Sequence, residues 1–279
     1  MSNPEGNLAT ASSADGASLT VEQAIANLQQ IEDPSLRYYA AWWLGRFRVK
    51  EPEAIEALLV ALADEIDRAP DGGYPLRRNA AKALGKLGDR RVVPALIECL
   101  SCGDYYVRES AAQALEKLGA LEAIPALIRL LEGGIEAAQK VPGKPHLTQP
   151  YEAIIEALGA LAAQEAIPLI EPFLEHFVEK VQYAAARSLY QLTGNPVYGE
   201  RLVQALQRED LQLRRSALMD LGAVGYLGAA EAIANTLAEN SLKLIALKGL
   251  LETHLKTQST DTPLTQDSIQ VMQLMDTLL

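Results

Sequence analysis

The sequence predicts an all-α protein, a right-handed α-α superhelix built from about seven short two-helix repeats. Three observations point there. Apolar residues make up 49% of the 279-residue chain but aromatics only 5%, and alanine and leucine dominate, a balance that suits close helix packing and starves a sheet of its preferred side chains. One short pattern returns along the chain at a spacing of about 31 residues. Prolines recur where a second helix would begin, a place that needs no N–H.

Taken in order, the first nineteen residues are rich in Ser, Ala, Gly and Asn, lack periodicity and are expected to be a disordered tail (1–19). Thr20 with Gln23 three positions on reads as a capping box, opening a short helix over the exposed end of the repeats. The repeat then runs through 20–257. Its clearest copy is Leu76-Arg77-Arg78-Asn79-Ala80-Ala81-Lys82-Ala83-Leu84-Gly85, preceded by Leu36-Arg37-Tyr38-Tyr39-Ala40-Ala41-Trp42-Trp43-Leu44-Gly45 and followed by Val107-Arg108-Glu109-Ser110-Ala111-Ala112-Gln113-Ala114-Leu115. Weaker copies begin near Tyr151, Gln182, Arg214 and Lys243, which makes seven. Second helices start at Val93-Pro94, Ile124-Pro125 and Ile167-Pro168. Small residues let neighbouring helices approach and leucines fill the space between, so each repeat buries its apolar face only by stacking. Such units are HEAT-like. Two Gly- and Pro-bearing insertions, 64–75 and 132–150, interrupt the period, and long loops on a solenoid are either functional or tolerated decoration. The last segment, 258–279, is a polar linker and a C-terminal amphipathic helix, Ser268 to Met275, suited to capping the last repeat or docking on a partner.

A net charge of -11 argues against a general nucleic-acid binder, since counterion release needs clustered cations. No signal-like start and no apolar run of about 20 residues occurs, so no membrane association and a cytoplasmic location are expected. Cys99 and Cys102 form a CxxC without a second pair or nearby histidine, and His146, His176 and His254 are scattered; no metal site is expected. A buried helix-end thiol is the favoured reading of the pair.

Aligning the repeats with one another isolates the first. Where it has Tyr38, the other copies have Arg78, Glu109, Glu152, Tyr183, Arg215 and Leu244; where it has Trp42, they have Lys82, Gln113, Glu156, Arg187, Met219 and Lys248. Tyr38, Trp42 and Arg46 share one helical face, and Tyr39 and Trp43 form a second pair. Trp43 replaces small residues such as Ala83 and Ala114. Both tryptophans and two of the ten tyrosines thus fall within six residues. They are either the cover of a terminal repeat or an aromatic, cationic platform for a flat ligand or a partner.

The string Tyr38-Tyr39-Ala40-Ala41-Trp42-Trp43-Leu44, with Asp33-Pro34-Ser35-Leu36-Arg37 before it and Gly45-Arg46-Phe47 after it, resembles the signature of the E subunits of heterodimeric E/F phycobilin lyases. Asp104-Tyr105-Tyr106-Val107-Arg108-Glu109 fits the same family. The resemblance implies an enzyme subunit that works with a homologous F subunit to attach phycocyanobilin, as substrate and without a further cofactor, through a thioether to a cysteine of the phycocyanin α subunit. The corresponding subunit of a phycoerythrocyanin lyase-isomerase and a non-catalytic HEAT-repeat scaffold are the alternatives. On this reading Arg37, Arg46, Arg78 and Arg108 would pair with the bilin propionates. Tyr38, Tyr39, Trp42, Trp43, Tyr105 and Tyr106 would offer aromatic faces. Asp104 would accept hydrogen bonds from pyrrole N–H groups, and Asp104 and Tyr105 would be the catalytic pair. Structural roles compete: an inter-repeat ion pair for Arg37 or Arg108, an N-cap for Asp104.

Overall fold

In the computed structural model, residues 19–256 and 264–279 are described. The expected tail, except for Leu19, and most of the polar linker lie outside them. Helix α1 (Val21–Gln29) opens on the expected capping box: the Thr20 hydroxyl accepts the Gln23 N–H at 3.2 Å and the Gln23 side chain accepts the Thr20 N–H at 3.0 Å. Its Ala24 and Leu28 are fully buried, and it packs across α2 (Pro34–Phe47) and α3 (Pro52–Leu62). Next come α4 (Pro75–Leu87), α5 (Val93–Cys99), α6 (Tyr105–Lys117) and α7 (Ile124–Arg129). A four-residue α8 (Gly134–Ala137) lies in the long insertion, followed by α9 (Tyr151–Ala160), α10 (Ile167–Ile170), α11 (Glu179–Thr193) and α12 (Pro196–Ala205). The chain closes with α13 (Leu211–Val224), α14 (Ala230–Asn235), α15 (Asn240–Lys256) and α16 (Gln266–Asp276).

The recurring strings lie in α2, α4, α6, α9, α11, α13 and α15, which stack side by side as one layer, while shorter helices form the second. Pro94, Pro125 and Pro168 each occupy the first turn of their helices, as their spacing predicts. The small residues have a measurable reason. A Cβ on Gly45 would stand 2.7 Å from Ala83 Cα, and one on Gly85 would stand 2.7 Å from Ala114 Cα. The first two of these long helices each press a glycine onto an alanine of the next, and at the first helix, where no repeat precedes, that second position has room for Trp43.

Both insertions are tied down. Asp64 and Asp67 of the first hold Arg37 at 2.9 and 2.7 Å. In the second, Lys140 and Leu147 form an isolated bridge and the Thr148 hydroxyl donates to Ala137 O. The fully buried His176 ring sits 2.9 Å from Ala138 O, pinning that loop to the segment before α11. At the far end α16 packs on α14 and α15 with Val271 buried, so the amphipathic segment caps the last repeat. No described helix is long and apolar enough to cross a membrane.

Candidate functional site

The two insertions, far apart in sequence, meet at the N-terminal ends of α4 and α6. Between them lies a cleft of 680 Å³ whose walls include Tyr74, Tyr105, Tyr106 and His146, with Arg68 and Cys102. Tyr105 stacks on His146 at 4.3 Å with planes 15° apart, and Tyr106 meets both rings edge-on. The Arg78 guanidinium lies 4.6 Å over Tyr106, and Arg68 lies 4.0 Å over Tyr74. Burial, reinforced by the Glu109 carboxylate, pushes the Tyr105 hydroxyl well above its usual range, so it stays protonated as a weaker acid than an ordinary tyrosine and serves as a hydrogen-bond donor.

The second group lies on α2. Tyr39 and Trp42 stack at 5.6 Å and are 50% and 48% exposed, which is unusual for large aromatics and marks them as available surface. Tyr38 is half-buried one turn before Trp42, and Arg46, one turn after, is exposed. On the neighbouring α4, Arg78 and Lys82 occupy the register positions of Tyr38 and Trp42. A strip of aromatic and cationic side chains thus runs from α2 across α4 to Tyr106 on α6.

Four of the expected site residues have their side chains engaged within the fold, although Asp104 and Arg108 line the cleft. Arg37 is 5% exposed, with its guanidinium consumed by Asp64, Asp67 and the Leu28 carbonyl, so it is not available to a propionate. Trp43 is buried in the core beside Phe47 and offers no outward face. Asp104 caps α6 by accepting from Tyr106 and Val107, and its other oxygen accepts the Tyr74 N–H at 2.6 Å. That aspartate fastens the first insertion to the third repeat rather than presenting free oxygens to pyrrole N–H groups. Arg108 is likewise buried and donates to Cys102 O and Thr148 O, fastening the second insertion. For Arg37, Asp104 and Arg108 a structural role is the geometry found. Tyr105, Tyr106 and Arg78 come together at the cleft, and Tyr39, Trp42 and Arg46 on the outer face.

Sequence reasoning missed His146 as the stacking partner of Tyr105. It also missed a cluster farther along the same layer, where Arg187 lies 3.3 Å from Glu156, 3.2 Å from Asp220 and 3.8 Å from Glu116. One guanidinium faces three carboxylates at a poorly hydrated place. Burial pushes Glu156 up to about 8 and Asp220 up to about 6, with Arg187 pulling the other way. The signal was present: Glu156 and Arg187 occupy the Trp42 position of adjacent copies. Cys99 is buried at the end of α5, and burial raises its thiol. Among the described residues no group of three or more His, Cys, Asp or Glu is arranged to hold a metal ion.

The stacked two-helix repeats define a class, the HEAT-repeat proteins. A model of HEAT repeats matches residues 66–136 and 151–222, and one described as the PBS lyase HEAT-like repeat matches 36–64, the segment carrying Tyr38 to Trp43. The chain belongs to the family of phycocyanobilin lyase alpha subunits. It is 68% identical over 93% of its length to "Phycocyanobilin lyase subunit alpha" of Synechocystis sp., covering 96% of that protein. To "Bilin biosynthesis protein PecE" of Nostoc sp. it is 46% identical, with 86% of this chain and 90% of that one covered. A solved chain from the complex of CpcE and CpcF of phycocyanin lyase of Nostoc sp. is 62% identical, with a TM-score of 0.86 over 99% of this chain and 100% of that one.

Proposed function

We propose that this chain is the alpha, or E-type, subunit of a cytoplasmic phycocyanobilin lyase that joins its bilin to a cysteine of the phycocyanin α subunit while paired with an F-type subunit. The observation that carries the reading is the 68% identity to a phycocyanobilin lyase alpha subunit across 93% of the chain. Pairing with an F-type subunit is supported by the likeness to a chain of the CpcE and CpcF complex. The lower identity to PecE favours phycocyanin over phycoerythrocyanin as acceptor.

The reaction adds the acceptor's S–H across the ethylidene double bond of ring A. A carbon–sulfur bond forms at the exocyclic carbon and the proton ends on the adjoining ring carbon, with no change in oxidation state overall. Such an addition needs a held, oriented substrate and a proton donor more than a nucleophile of the enzyme's own. The strip from Trp42 to Tyr106 is suited to holding and orienting the bilin. Tyr39, Trp42 and Tyr106 offer faces to a conjugated ligand, with Tyr38 beside them. Arg46 and Arg78 supply bidentate partners for propionates, and the protonated Tyr105 hydroxyl is a hydrogen-bond donor. Asp104, Arg37 and Arg108 position the loops around it.

Co-expression with an F-type subunit, a phycocyanobilin source and the phycocyanin α subunit tests the proposal. The expected product is an α subunit that fluoresces with zinc on a denaturing gel and keeps the phycocyanobilin absorption. No more adduct than in the absence of this chain would leave a scaffold role. An adduct with a shifted, isomerised chromophore would favour the phycoerythrocyanin reading.

A further inference from the structure

At the opposite ends of the same helices the surface changes character. The C-terminal ends of α2, α4 and α6 flank an open trough of 630 Å³ lined by Arg46, Arg48, Lys50, Lys86 and Lys117, with glycine and leucine between them. All five cations are exposed, and among the described residues none has a carboxylate within ion-pair distance. The nearby acids are engaged elsewhere: Asp89 is held by Arg91, and Glu116 faces Arg187. In a chain of net charge -11, five uncompensated cations in one groove are a local reversal of sign.

A second observation is independent of charge. Arg48 follows α2 in the left-handed region, at φ 54° and ψ 46°. Other long helices end on glycine at that place, as Gly88 (φ 79°), Gly194 (φ 66°) and Gly225 (φ 72°) do. Glycine is the unstrained residue there, and arginine carries a backbone cost that the fold does not require. Ala162, the other non-glycine residue with positive φ among those described, brings no charge.

We propose that this trough docks an acidic segment of a protein partner, with Arg48 kept at a glycine position for its guanidinium. The cations come from three successive helices about 8–10 Å apart, so the trough spans more than one carboxylate or phosphate can reach. A run of carboxylates on a polypeptide matches that spacing. No aromatic ring lines the groove, so a conjugated small ligand has nothing to stack on. The inference stands apart from the bilin chemistry and shares only Arg46 with it.

The test measures binding of a fluorescent ten-residue polyglutamate peptide to the full-length chain by anisotropy at low salt, with an unlabelled oligothymidine of equal length and phycocyanobilin as competitors. Lys86→Gln combined with Lys117→Gln should weaken the peptide at least tenfold and flatten its salt dependence, while Lys180→Gln, at the N-terminal end of α11, should not. Arg48→Gly should weaken binding severalfold and leave the melting temperature equal or higher, which separates docking from folding. Unchanged peptide affinity in the double variant overturns the proposal. So does tighter binding of the oligonucleotide, or displacement of the peptide by stoichiometric phycocyanobilin.

Discussion

The outer face of the long-helix layer is open at one end and closed on itself at the other. On α2, α4 and α6 it presents Trp42, Arg78, Lys82, Lys86 and Lys117, and among the described residues none of these cations has an acidic partner within ion-pair distance. Across α9, α11 and α13 the same face carries Glu156, Arg187 and Asp220, with Glu116 of α6 reaching in, all within 3.8 Å of one guanidinium. Both stretches stand on the same scaffold of alanine, glycine and leucine, so the fold needs neither. The difference lies in where the charges are satisfied: within the chain in the second stretch, whereas in the first no acidic partner within ion-pair distance is found among the described residues. If the open end binds, as proposed, changes at the two ends should separate activity from stability.

The largest expected effect on stability falls beneath the open end, where Trp43 fills the space that a preceding repeat would occupy. Trp43→Ala should cost about 3–5 kcal/mol, read as a lower midpoint in urea denaturation. At the closed end, Arg187→Leu leaves three carboxylates without their cation and should cost about 3 kcal/mol at pH 8. The loss should shrink at pH 5, because the carboxyls can then hold protons. If the cost were the same at both pH values, packing rather than charge would be the role of Arg187.

A smaller effect follows from Glu156 alone. Its folded-state value of about 8 lies above the ordinary 4.5, so between those limits the native state holds a proton that the unfolded chain releases. Stability therefore falls as pH rises through that window and levels off above it. Asp220, raised to about 6, adds the same trend at lower pH. Glu156→Gln should remove about 1–2 kcal/mol of that decline between pH 5 and pH 9, allowing for the coupling among the carboxyls. Urea midpoints measured across that range check the slope, and a wild-type profile that is flat or rises would contradict the assignment.

How far these features can be read from the sequence depends on how far apart their partners lie. The stacked helices were legible because each copy carries its own small-residue stripe, and three of the clearest carry their own proline, signals contained within a turn or two of helix. The exposed Tyr39 and Trp42 were legible too, since the repeats supply a baseline of Lys82, Gln113 and Arg187 at the Trp42 position. The fates of Arg37, Asp104 and Arg108 were not. Arg37 meets Asp64 and Asp67, Asp104 meets the Tyr74 backbone, and Arg108 meets the Thr148 carbonyl, each across an insertion whose path no periodicity describes. The cleft was hidden for the same reason. Both insertions were visible as interruptions, but only three dimensions bring Tyr105 against His146.

The smallest stability effect belongs to the side chain next to the one with the largest. Trp42 is 48% exposed, and its chief aromatic neighbour is Tyr39, itself half-exposed, so Trp42→Ala removes little buried area and creates no cavity. It should shift stability by less than about 0.5 kcal/mol, with helicity unchanged. Chromophore transfer in the presence of the F-type subunit should nevertheless fall at least tenfold, and Trp42→Phe should restore part of it because a stacking face remains. Paired with Trp43→Ala, this gives two adjacent tryptophans with opposite signatures, one lost in the denaturation curve and the other in the zinc-fluorescent product. A large destabilisation by Trp42→Ala would instead assign the whole aromatic string to covering the terminal repeat, and would move the search for the bilin surface to the cleft around Tyr105 and His146.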